Sequence, residues 1–127
     1  MVAACPEDSK VLDNVKVLLV EDEPIIAVGV AGQLTDAGAH VIGPCSTASR
    51  AMAALDEHDV DVAVIDYVLA DDNSEELQAT LERKGIPFII VTGYPRVLVR
   101  RDVRQHVLSK PISPEVLAST VRSLSRA

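Results

Sequence analysis

The stretch VKVLLVEDEP, residues 15–24, drives an apolar segment broken only by Lys16 into three consecutive carboxylates, Glu21, Asp22 and Glu23. Adjacent carboxylates repel one another and each resists leaving water, so such a cluster at the end of a buried segment calls for a cation or for full solvation. Three more residues bear on the choice: Asp66 ends the apolar run VDVAVID, Thr92 follows PFIIV, and Lys110 follows HVLS. If these ends meet, Glu21, Asp22 and Asp66, with a backbone carbonyl nearby, make an oxygen-only site for a small hard dication. Mg²⁺ suits a site of few protein ligands and several waters. Glu23 is left to face outward beside a helix start.

These residues lie far apart in the chain and meet only if the fold brings strand ends to one edge. Short β-rich apolar runs alternate with stretches of helical period, the pattern of βα units around a parallel sheet. Strands are expected over 15–20, 40–42, 60–65, 88–91 and 106–108. The third and fourth are apolar on both faces and belong in the middle of the sheet. Helices are expected from Pro24 to just before Gly38, over 46–57, 74–84 and 96–104, and from Pro114 onward. At the last start Ser113 can cap, Pro114 suits the first turn and Glu115 favours the positive end. Val116, Leu117, Thr120, Val121 and Leu124 then form one stripe. In such a sheet the strand carboxyl ends share an edge, and ligands bind there where the strand order reverses.

The 127 residues are the length of one domain, and 48% hydrophobic with 24% charged residues give material for a single core. Residues 1–14 are expected to be a flexible tail and 15–127 the folded domain, with no second domain. Twelve Lys and Arg against 19 Asp and Glu leave a net charge of −7, which argues against a phosphate-gripping nucleic-acid binder. Tyr67, Phe88 and Tyr94 are the only aromatic residues and offer no stacking platform for bases. No apolar run approaches the ~20 residues of a membrane span. Two cysteines, Cys5 and Cys45, suggest no disulfide framework and fit a reducing cytoplasm. His40, His58 and His106 show no metal-ligand spacing.

In order and spacing, VLLVEDEP, VAVIDYVLADD, IIVTGY and LSKP resemble the motifs of the receiver domain of two-component response regulators. The resemblance covers about residues 15–125 and places a motif at each of four strand ends. A finer likeness is to the single-domain FAT GUY group, in which Thr-Gly-Tyr follows the fourth strand and the fifth lacks its usual aromatic. Thr92, Gly93 and Tyr94 supply the first feature, and Val107 the second. Ile90 and Val91 depart from that group's Phe-Ala, and LADDNSEE is unusually acidic.

The resemblance implies a flavodoxin-like doubly wound α/β fold, five parallel strands in the order 2-1-3-4-5 with five helices. It also implies that Asp66 accepts a phosphoryl group from a histidine kinase or histidine phosphotransfer protein. Mg²⁺ would be held by Asp66, Asp22, the Val68 carbonyl and, through water, Glu21. Lys110 would pair with the phosphoryl group, Thr92 would donate its hydroxyl to it as the switching step, and Lys110–Pro111 would be a cis peptide. Tyr94, Arg96 and the absent ring at Val107 mark a candidate switch or partner surface, to which RVLVRRDVR, residues 96–104, adds four arginines against one aspartate. Output would pass through protein contacts of a monomer or weak dimer in the cytoplasm, with no direct contact to nucleic acid or membrane.

Two rivals come from other classes. A phosphatase that forms its own aspartyl phosphate needs a second acid two residues after the nucleophile to serve the leaving group, and that position is Val68. A binding module indifferent to phosphorylation would have lost an acid, the threonine or the lysine, and all are present. Nucleotide binding lacks a glycine-rich phosphate loop.

Overall fold

The computed structural model describes residues 11–66, 74–93, 107–110 and 112–125. Five strands, β1 (Lys16–Val20), β2 (His40–Cys45), β3 (Val62–Asp66), β4 (Phe88–Thr92) and β5 (Val107–Ser109), form one parallel sheet in the order β2-β1-β3-β4-β5. Four helices lie among the described residues: α1 (Pro24–Asp36), α2 (Ala48–Glu57), α3 (Ser74–Lys84) and α4 (Pro114–Ser125). The helix expected over 96–104 falls outside the described residues, as do Val68, Tyr94, Arg96 and Pro111. This is the flavodoxin-like arrangement, with the reversal of strand order between β1 and β3.

The alternation of each strand sorts its side chains onto two faces. Leu18, Val20, Ala63, Ile65, Phe88 and Ile90 pack with α2 and α3 through Ala51, Leu55, Leu77 and Leu81. Val17, Leu19, Val62, Val64, Ile89 and Val91 pack on the other face with α1 and α4 through Leu34, Leu117 and Val121. β3 and β4 are buried along their whole length, as expected of central strands. Leu12, assigned by its position to the tail, is fully buried in the second cluster, and its N–H bonds the Ala37 carbonyl at 2.8 Å. The hydropathy pattern gave no sign of it, because the pair Val11 and Leu12, flanked by Lys10 and Asp13, is too short to show a period.

Helix ends follow the capping chemistry. The Thr47 hydroxyl accepts from the Arg50 N–H at 3.1 Å, so α2 starts after Thr47 rather than at Ser46. Ser113 accepts from the Val116 N–H at 3.4 Å at the start of α4. Within α4 the buried line is Leu117 and Val121, while Val116 is 47% exposed, which corrects the wider stripe expected there. β2 runs past Gly43 and Pro44 to Cys45, three residues beyond the expected end, because its pairing with β1 shifts register there instead of stopping. Gly43 holds φ +108°, and a Cβ would lie 2.7 Å from the Cys45 nitrogen and 2.8 Å from the Leu19 oxygen. Among the described residues no helix is long and apolar enough to cross a membrane.

Candidate functional site

At the carboxyl edge of the sheet, β1, β3 and β4 each deliver a polar residue at the point where the apolar run gives out. Glu21, Asp66 and Thr92 are buried, at 6%, 7% and 3% exposure, and Asp22 is half-buried beside them. Backbone contacts fix the ends. The extension of β2 lets the Cys45 carbonyl accept from the Glu21 N–H at 2.9 Å, and the Thr92 carbonyl accepts from the Lys110 N–H at 2.9 Å. The bulge at Gly43 therefore reaches the site through one hydrogen bond.

Glu21, Asp22 and Asp66 each offer a carboxylate oxygen, and these oxygens lie within 4.8 Å of one another. The Lys110 ammonium sits 3.4 Å from Asp66 Oδ1 and 3.7 Å from Glu21 Oε1. One cation therefore spans two of three acids. Burial raises the Glu21 carboxyl from its ordinary 4.5 to about 7, and the Asp66 carboxyl beside it adds to the rise by hydrogen bond and charge. The Glu23 N–H, donating to Glu21 Oε2 at 3.2 Å, and Lys110 pull the other way without cancelling it. A cluster of three carboxylates within 4.8 Å of one another, whose donors are all oxygen, has the charge and hardness that fit a Mg²⁺-class dication.

The structure thus brings together Glu21, Asp22, Asp66, Thr92 and Lys110. Glu23 is exposed at the N-cap of α1, where it was expected. Val107 is half-buried in β5, paired in register with Ile90 and packed on the core. Val68, Tyr94, Arg96 and the Lys110–Pro111 peptide lie outside the described residues.

Beside the acids a cleft of about 440 Å³ runs between α1 and the sheet. Ile26, Gly29, Val30 and Gln33 line its helical wall, and sequence reading passed them over. Their i, i+3, i+4, i+7 spacing marks one helix face, and the glycine in the middle of it was the available signal.

A family model described as the response regulator receiver domain matches residues 17–122. The transcriptional regulatory protein TcrA of Mycobacterium tuberculosis is 31% identical over 121 residues, 91% of this chain and 47% of its own length. The chain spans about half the length of the curated relatives it matches. Among solved structures, the anti-anti-sigma factor PhyR from Bartonella quintana is 25% identical with a TM-score of 0.77, covering 87% of this chain and 47% of that one. SdrG from Sphingomonas melonis is 26% identical with a TM-score of 0.74, covering 87% of this chain and 96% of that one. With its strand order, its edge of acids and a family match across most of its length, the chain belongs to the response regulator receiver domain family.

Proposed function

We propose that Asp66 is the phosphoacceptor of a signalling receiver that takes its phosphoryl group from a histidine kinase or histidine phosphotransfer protein. The observation that carries the reading is the Asp66 carboxylate, buried at the end of β3, with Lys110 Nζ at 3.4 Å and the Glu21 and Asp22 carboxylates within 4.8 Å. A carboxylate is a competent nucleophile for phosphoryl transfer, and catalysis of that transfer is mostly positioning and charge stabilisation. An Asp66 oxygen attacks the phosphorus, the bond from phosphorus to the donor imidazole nitrogen breaks, and the nitrogen keeps the electron pair. Lys110, already beside Asp66, pairs with the incoming phosphoryl oxygens, and Thr92 on the neighbouring strand end donates its hydroxyl to one of them. Asp22 and Asp66, with the Val68 carbonyl and Glu21 through water, would hold Mg²⁺, which when bound supplies neutralising charge to those oxygens.

Read this way the protein is a messenger, not an enzyme acting on outside substrates, and its output is a protein contact in the cytoplasm made by a monomer or weak dimer. The name anti-anti-sigma factor given to the Bartonella relative makes an anti-sigma factor the first downstream partner to try. The folded domain is taken as residues 15–127, with the packed Leu12 turn ahead of it. The deciding experiment is intact-mass measurement after incubation with acetyl phosphate and Mg²⁺. One phosphoryl group is expected on the natural chain and none on Asp66→Asn; unchanged labelling of the variant overturns the assignment.

A further inference from the structure

We infer that the cleft under α1 is a binding site for a small neutral molecule with an apolar body and one hydrogen-bond donor. Its volume of about 440 Å³ lies within the usual range for ligand pockets. The sheet supplies Leu19, Val64 and Val91, and α1 supplies Ile26 and Val30. Gly29 lines the cleft, and an added Cβ there meets nothing within 4 Å, so the space beside it is open.

Two features choose the ligand's chemistry. Gln33, two helical turns from Ile26, lines the cleft and carries a side-chain oxygen that is buried without a hydrogen-bond partner. An unpaired buried acceptor is costly, and a donor on the ligand would recover that cost. At the opposite edge the Glu21 and Asp66 carboxylates and the Lys110 ammonium are already paired with one another, so the cleft offers a small molecule no free charge to bind. A cation would in addition have to shed water among apolar walls. What remains is a neutral body with an N–H or O–H, such as an alcohol, a phenol or an indole. This inference does not depend on the phosphoacceptor reading, since binding is measured without a phosphodonor.

The test uses indole and 1-methylindole, which share a ring system and differ in the N–H, titrated into the ¹⁵N-labelled full chain and followed by amide NMR. Indole is expected to shift Gly29, Gln33 and Val91 and to bind about tenfold more tightly than 1-methylindole. Gln33→Leu, which keeps the volume and removes the acceptor, should erase that tenfold difference. Gly29→Leu, which improves helix propensity and so preserves the fold, should abolish binding of both by filling the space. The inference is overturned if neither probe shifts these residues, if the two bind equally to the natural chain, or if Gly29→Leu, with its remaining spectrum unchanged, binds as before.

Discussion

If the acids at the sheet edge hold Mg²⁺ as proposed, their duties are unequal, and the inequality can be measured residue by residue. Asp22 is half-buried and faces its two buried neighbours, Glu21 and Asp66, which share Lys110. A site with few protein ligands loses most of its affinity with one direct carboxylate, so Asp22→Ala should weaken Mg²⁺ binding at least about a hundredfold. Glu21→Ala, acting through water, should cost about tenfold. Calorimetric titration of both variants checks the ranking, and equal losses would refute it. A second prediction concerns the lifetime of the phosphoryl group. Hydrolysis needs a water in line with phosphorus, and in the receiver pattern the residues two beyond Asp66 and two beyond Thr92 flank its approach. These are Val68 and Tyr94, neither of which orients water as a carboxylate or carboxamide does. Label on the natural chain should therefore outlast that on a Val68→Asn, Tyr94→Glu double variant several-fold. Equal decay of label with time would remove these two side chains from the account.

Elements carry the site only as well as their irregular ends are held. Strands β3 and β4 were legible from sequence because both faces are apolar, and α3 because Leu77 and Leu81, one turn apart, lie between acidic Glu75 and Glu76 and basic Arg83 and Lys84. The end of β2 was not, since Gly43 and Pro44 are the residues that ordinarily stop a strand. Here they make a bulge that presents the Cys45 carbonyl to the Glu21 N–H. Gly43→Ala should therefore cost about 1–3 kcal/mol for the left-handed backbone alone. Crowding against the Cys45 nitrogen and the Leu19 oxygen adds to that cost. The same change should weaken Mg²⁺ binding, because displacing Cys45 moves Glu21. Denaturant melts and metal titration on one variant test both halves of this claim, and a stable variant with normal affinity would contradict it. Leu12 gives a companion test. It is fully buried, so Leu12→Ala should cost about 2–4 kcal/mol, where a residue in a free tail would cost nothing.

At the scale of the whole molecule, order along the chain announced the fold and the meeting of Glu21, Asp22, Asp66, Thr92 and Lys110, because parallel βα units leave strand ends nowhere else to go. Sequence could not announce how strongly burial and the neighbouring Asp66 disturb Glu21, which depends on packing and on distances of a few ångströms. That disturbance couples the site to global stability. A folded-state pKa of about 7 for Glu21, against an ordinary 4.5, means that the folded chain keeps a proton which the unfolded chain releases. Stability from this group is therefore greatest below about 4.5, falls as pH rises through that interval, and levels off above about 7. Glu115, held low by hydrogen bonds from its own backbone and from the Ser113 hydroxyl, titrates below the window and does not mask it. Mg²⁺ binding favours ionised acids, so its stabilisation of the folded chain should grow with pH across the same interval. Thermal melts from pH 5 to pH 8, with chelator and with Mg²⁺, should show the metal-dependent rise in Tm increasing with pH. In chelator the natural chain should lose stability relative to Glu21→Gln as pH rises, because the amide has no proton to give up. A difference between the two chains that stays flat across the window would show that ionising Glu21 costs the fold nothing, and that Lys110 alone suffices to hold the buried acids.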